Sequence, residues 1–339
     1  MRKLFTPGRL LLAGAVLALI TFGILWLAPS NDYLLLPDKA HAVAPLVTVE
    51  KPKRGGGTDG IHFVDVIQRR ATLLESIFPS LRGGSSLVPG SQVNPQGVTD
   101  VARRRIDLSQ MVRSQEIAAA VALRRLGYAV KVRENGALVV NVFKGLPAAG
   151  KVEAGDVIVA VDGHPVRSTI DLQGLISPRR PGDVITLTLR GAQGLRKTRL
   201  KTAANPEDAA RAIIGVLVEP AADVTLPIDV SIDTGDIGGP SAGLAFALDV
   251  MEKLGRDVDR GHKVAATGEL ALDGSVIKIG GIKQKTIGAR HAGVEIFLVP
   301  VENAADARRY ADGLRIIPVR TFQQALRDLA TLPKKDTTP

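Results

Sequence analysis

One serine in this 339-residue chain sits among residues small enough to leave its hydroxyl approachable: Gly238-Gly239-Pro240-Ser241-Ala242-Gly243, opening an apolar stretch. Downstream come Ala266-Thr267-Gly268-Glu269 and the glycine-led run Gly280-Gly281-Ile282-Lys283-Gln284-Lys285. A serine hydroxyl is a weak nucleophile until a neighbouring base takes its proton, and histidine or lysine can do so. Gly239-Pro240-Ser241-Ala242-Gly243 satisfies G-x-S-x-G, so an α/β-hydrolase triad is weighed first. That fold needs several strands before its nucleophile and a histidine late in the chain. Only one or two strands separate residue 207 from Ser241; His262 lies at the start of the next strand, and His291 ends a helix beside Gly293. The histidine reading is weak on both counts.

Lysine fits better. Pro240 suits a first helical turn, which would put Ser241 at a helix N-terminus, where unpaired N–H groups of Gly239 to Ala242 and the positive dipole end stabilise an oxyanion. A lysine acts as a base near neutral pH only if a dry setting lowers its pKa. On a helix from Ile282, Lys285 shares a face with Gly281, Gly288, Ala289 and Ala292, small residues that admit close packing, whereas Lys283 falls on another face. Thr267 offers a hydroxyl to orient the amine. With no cysteine in the chain, thiol nucleophiles, disulfides and Cys-ligated metals are excluded, and no metal or cofactor is expected.

These groups need elements to hold them. From Glu207 onward the pattern alternates strands (Val224 to Ile232, Lys263 to Ala266, Glu295 to Val299, Leu314 to Val319) with helices (Ser241 to Leu254, Ile282 to Ala292, Ala304 to Ala311, Phe322 to Leu329), which predicts an α/β (α+β) domain over 207–332. Residues 129–203 read as short strands with one helix, Thr169 to Ile176. Upstream, 31–128 reads as a separate region: a hairpin turning at Arg54-Gly55-Gly56-Gly57, a polar loop, and a helix from Ser109 to Gly127.

The stretch 129–203 resembles a PDZ domain through Pro147-Ala148-Ala149-Gly150-Lys151-Val152-Glu153-Ala154-Gly155-Asp156-Val157-Ile158 and the following Val161-Asp162-Gly163. The resemblance implies capture of an extended peptide as an added strand, its terminal carboxylate held by backbone N–H groups. The turn Asn135-Gly136-Ala137-Leu138 is the expected holder, a plain hairpin turn being the alternative.

Residues 207–331 resemble the proteolytic domain of Lon-type serine peptidases. The resemblance is carried by Gly239-Pro240-Ser241-Ala242-Gly243, Ala266-Thr267-Gly268-Glu269-Leu270, Ile279-Gly280-Gly281-Ile282-Lys283-Gln284-Lys285 and Ala292-Gly293-Val294-Glu295-Ile296-Phe297-Leu298-Val299-Pro300. It implies a Ser-Lys dyad of Ser241 and Lys285 supported by Thr267, protein or peptide substrates, and a homo-oligomer, the family commonly forming hexameric rings. ATP-driven members carry an aspartate three residues before the serine, where this chain has Gly238. No G-x-x-x-x-G-K-[ST] phosphate loop occurs either, so ATP-independent endopeptidase activity is expected. A scaffold whose peptidase domain only binds chains is the competing reading, opposed by the intact dyad and threonine.

Residues 1–30 predict a membrane anchor. Leu10 to Ala28 carries no charge and would span roughly 28 Å as a helix. Arg2, Lys3 and Arg9 before it put the N-terminus in the cytoplasm and the remainder outside, in a single-pass arrangement. Ala40-His41-Ala42 resembles a signal-peptide cleavage site but lies far beyond the apolar stretch. The combination of anchor, PDZ domain and Lon-type domain is similar to the membrane-anchored, PDZ-containing branch of the family. The net charge of +10 is dispersed in short runs and aromatics make up only 4%, which argues against nucleic-acid binding.

Overall fold

The computed structural model describes residues 7–53, 60–94, 100–191, 194–206 and 208–335. The expected turn at Arg54 to Gly57 lies outside them. The chain divides into two units, one of Met1–Val47, Lys53–Pro95 and Ser241–Pro339, the other of Thr48–Pro52 and Gln96–Pro240.

The first unit is built on a six-stranded sheet in the order Arg315–Val319, Ile296–Pro300, Val264–Ala266, Ile61–Thr72, Pro29–Ala42, Ser86–Val88. The first four pair in parallel and the last three antiparallel. Helices Gly243–Lys253 and Ile282–His291 belong to the same unit, the first with nearly every side chain buried. Phe63, Phe246 and Phe297 are among its largest fully buried side chains, with the Phe63 and Phe246 rings 5.9 Å apart. Such aromatic burial supplies a large share of the stability of a core.

Two expectations for the upstream region are corrected. Ile61–Thr72 does not fold back on residues 47–49; its antiparallel partner is Pro29–Ala42, and Val47–Val49 pairs instead with Val230–Ile232. Residues 31–128 are therefore not a region of their own. Long strands need two partners to satisfy their backbone groups, and here Ile61–Thr72 finds the second in Val264–Ala266, two hundred residues downstream.

The apolar N-terminal segment forms a helix, Pro7–Leu27. Among the described residues, however, no helix is long and apolar enough to cross a membrane.

The second unit carries another sheet, in the order Val216–Thr225, Lys131–Val142, Val157–Val161, Val184–Gly191, Gly194–Lys201. Val139, Ile158, Ile185, Leu187, Leu172 and Ile176 are buried together in its core, the last two from the helix Thr169–Ile176. Ser168 caps that helix by accepting from the Asp171 N–H, and the Asp171 carboxylate accepts from Ser168 N–H in return. The helix expected over Ser109 to Gly127 is longer, Asp100–Arg125.

Candidate active site

Ser241, Thr267 and Lys285 all belong to the first unit. Lys285 projects from the Ile282–His291 helix, and Thr267 follows the Val264–Ala266 strand, its N–H bound to the Leu298 carbonyl of the neighbouring strand at 3.0 Å. The lysine helix lies almost in contact with backbone. A Cβ added at Gly288 would stand 1.9 Å from the Asp38 carbonyl oxygen, and one at Gly281, where φ is +68°, 2.9 Å from Val66. The small-residue face read from the sequence is thus the face that lets this helix sit down on the Pro29–Ala42 and Ile61–Thr72 strands.

That close approach buries the amine. Lys285 is 3% exposed and Thr267 1%. The Lys285 Nζ donates to the Val64 carbonyl at 3.0 Å and lies 2.6 Å from Ser241 Oγ and 3.5 Å from Thr267 Oγ1. Burial pushes the Lys285 amine down to about 8, against the opposing pull of the Asp65 charge. When neutral, the amine can keep its two hydrogens on Val64 and Thr267 and turn its lone pair to the serine. At pH 7 about a tenth of the molecules hold that form, far more than for a solvated lysine.

The serine is held by its backbone as well. Its carbonyl accepts from the Gly268 N–H at 2.8 Å and from Thr267 Oγ1 at 3.1 Å. Thr267 thus touches both members of the dyad. The same bonds correct one expectation: the helix begins at Gly243 with Ala242 at its N-cap, and Ser241 stands just outside it. With its carbonyl committed to Gly268 and Thr267, Ser241 is drawn out of the helical ladder, which also removes Pro240 from the first turn. Gly239 adopts φ +93° and its N–H donates to the Asp107 carbonyl at 2.7 Å. Pro240 has no N–H. Of the amides expected over Gly239 to Ala242, this leaves those of Ser241 and Ala242.

No histidine partners the serine among the described residues. The His262 ring is held on both nitrogens, by Glu295 at 3.1 Å and by the Pro333 carbonyl at 2.8 Å. His62 Nδ1 lies 2.9 Å from the Gly60 carbonyl, and His41 faces Asp38. Lys283, on the other helix face as expected, donates to the Ser85 carbonyl at 2.7 Å and lies over the Tyr310 ring. Sequence reasoning missed the Val64 carbonyl. A backbone acceptor leaves no mark in residue types, so only strand register could have placed it.

The expected peptide-binding turn is not brought to a free edge. Ala137 and Leu138 pair on one side with Ile158 and Val157 and on the other with Pro220 and Glu219, and the Gly136 N–H donates to the Arg167 carbonyl at 3.0 Å. A strand with both edges filled cannot accept a third partner, so Asn135-Gly136-Ala137-Leu138 is interior sheet and not a carboxylate nest. At the edge of this sheet lies Val216–Thr225, near the Thr169–Ile176 helix and preceded by Gly215 at φ +80°. A Cβ at Gly215 would meet Leu146 at 2.2 Å.

Residues 219–331 match the family model of the Lon protease (S16) C-terminal proteolytic domain, and residues 125–202 match that of the PDZ domain. Lon protease 2 of Bacillus subtilis is 35% identical over 103 residues, which are 30% of this chain and 18% of that protein. The Lon protease of Methanosarcina barkeri is 32% identical over 152 residues, 43% of this chain and 17% of that protein. The chain therefore spans less than a fifth of the length of these curated relatives. A crystal structure of the PDZ domain of an SdrC-like protein from Listeria monocytogenes is similar at 25% identity and a TM-score of 0.24, covering 26% of this chain and 92% of that one. The chain carries a Lon-type proteolytic domain and a PDZ domain.

Proposed function

We propose that this chain is a serine endopeptidase of the Lon type in which Ser241 is the nucleophile and Lys285 the general base. The observation that carries this reading is the 2.6 Å approach of a fully buried lysine amine to the serine hydroxyl, with no histidine competing for it. Neutral Lys285 takes the proton as Ser241 Oγ attacks the scissile carbonyl. The amides of Ser241 and Ala242 face the developing oxyanion, and Lys285 returns its proton to the leaving amine. Water then repeats the cycle on the acyl-enzyme. Turnover without ATP is part of this proposal, resting on Gly238 standing where ATP-driven members carry an aspartate. An inactive scaffold would need no depressed lysine.

A serine-reactive phosphonate should label the wild type and not Ser241→Ala, and cleavage of an unfolded protein should be lost in Ser241→Ala and Lys285→Ala but only reduced in Thr267→Val, with or without ATP. An active Lys285→Ala enzyme would sink the lysine mechanism.

The apolar Pro7–Leu27 helix, together with the residues before it, is read as the membrane attachment of a single-pass protein whose remainder lies outside the cytoplasm. The exposure of Leu11, Leu17, Leu19, Phe22 and Leu27 supports it, because water is a poor solvent for a helix apolar on every side. The PDZ domain is read as delivering substrate chains by strand addition, with Val216–Thr225 as the accepting edge and the backbone after Gly215 facing the terminal carboxylate.

A further inference from the structure

Where the N-terminal helix ends, the first unit presents an apolar ledge to solvent. The Leu73 N–H donates to the Ala28 carbonyl at 2.9 Å and Ser76 Oγ donates to Ser30 Oγ at 2.7 Å, so the short helix Leu73–Ile77 starts against the foot of the Pro7–Leu27 helix. The residues it leads into are large, apolar and out of the core: Ile77 is 58% exposed, Phe78 54% and Leu81 56%. Folding leaves such side chains in water at a cost, and contiguous ones mark a surface that meets something apolar.

Beside the ledge runs an open cleft of about 640 Å³ lined by Leu36, Pro37, Ile67, Leu81, Gly83 and His291, with Arg69 and Arg82 also in its wall. Both arginines bond the buried Glu75 carboxylate, Arg69 through two nitrogens at 2.9 and 2.7 Å and Arg82 through Nε at 3.0 Å. Two guanidiniums on one carboxylate leave a net positive charge beside the apolar side chains of the cleft. That pairing suits an amphiphile whose chains are apolar and whose head is anionic. Planar guanidinium groups match phosphate oxygens closely.

We infer that the ledge Ile77 to Leu81 and its cleft form a bilayer-facing surface that seats anionic phospholipid, acyl chain against Ile67 and Leu81 and phosphate against Arg69 and Arg82. This rests on reading the Pro7–Leu27 helix as the membrane attachment, since its contact with Leu73 and Ser76 puts the ledge at the point where that helix would leave the lipid. The chain's single tryptophan, Trp26, belongs to that helix and gives the two readings separate reporters.

The full chain is reconstituted into vesicles with brominated acyl chains, of phosphatidylcholine alone or with phosphatidylglycerol. Trp26 fluorescence reports the helix in the wild type; the double variant Trp26→Phe/Phe78→Trp reports the ledge, with unchanged circular dichroism and phosphonate labelling as its fold control. The indole introduced at position 78 should lose at least half its emission to bromine, and at least twofold less in the zwitterionic vesicles. Quenching of Trp26 without quenching at position 78 would overturn the ledge and leave the anchor standing. Absence of quenching at both would remove the anchor and the ledge with it. Equal quenching in the two lipids would overturn the preference for an anionic headgroup, and shielding of position 78 from acrylamide without bromine quenching would assign the ledge to a second copy of the chain.

Discussion

As the proposed base, Lys285 illustrates what such a role demands of a lysine. Its amine must be dry enough to shed a proton near neutrality, yet its hydrogens must not be orphaned, and the Val64 carbonyl with Thr267 meets the second condition. The dryness has a measurable thermodynamic signature. The folded amine titrates at about 8 and the unfolded one near 10.5, so between those values the unfolded chain binds more protons and folding stability rises with pH. Below 8 both forms are protonated and the full penalty, on the order of 3 kcal/mol, is present. Lys285→Met removes this titration. Paired chemical denaturation should therefore show the wild type gaining on the variant, by up to about 3 kcal/mol, from pH 8 to 10.5; a constant difference would mean the amine is not depressed. Peptidase turnover should rise over the lower part of that range, with a midpoint near 8. Lys285→Arg should be inactive throughout, because guanidinium stays protonated.

At the level of elements, the decisive contact is between the lysine helix and the strand Pro29–Ala42. Gly288 lies one turn beyond Lys285, on the face where the helix meets the Asp38 carbonyl, and backbone at 1.9 Å from a new Cβ cannot swing aside as a side chain would. Gly288→Ala should lower the melting temperature by several degrees, corresponding to roughly 1–3 kcal/mol or more, and depress turnover further by lifting Lys285 from Ser241. Gly280→Ala is the control: nothing lies within 4 Å of its Cβ and the variant should melt and cleave like the wild type. Equal behaviour of the two would show that the helix has room to move. The nucleophile strand-turn uses another device: two bonds to the Ser241 carbonyl hold the serine outside its helix, so its hydroxyl is fixed by backbone before any substrate arrives.

For the whole molecule, each of the two units carries its own sheet, one bearing Ser241, Thr267 and Lys285 nearby and the other ending in the edge strand Val216–Thr225. If that edge delivers substrate, a peptide with a free apolar C-terminus should shift backbone amide resonances of residues 215–221 in the full chain while leaving 135–138 nearly unmoved, and its amidated form should bind more weakly. Shifts centred on Asn135 to Leu138 would reinstate the turn first read from the sequence.

The residues proposed to do the chemistry were singled out from the sequence because chemistry is written in residue types. Ser241 between small neighbours, Lys285 on a glycine-alanine face and Thr267 between them needed only helical spacing and composition to be singled out. The alternation of strands and helices after Lys263 was equally plain, since hydrophobic periodicity is a local signal, whereas the single strand expected over Val224 to Ile232 is split between the end of Val216–Thr225 and Val230–Ile232. Pairing is not local. That Ile61–Thr72 joins the catalytic sheet and offers Val64 to the lysine, and that Asn135 to Leu138 is sandwiched between Val216–Thr225 and Val157–Val161, depends on hydrogen bonds between segments far apart in the chain. Backbone N–H and C=O groups are the same at every residue. Which strand completes an edge, and which carbonyl receives the amine, was therefore decided only by the tertiary structure.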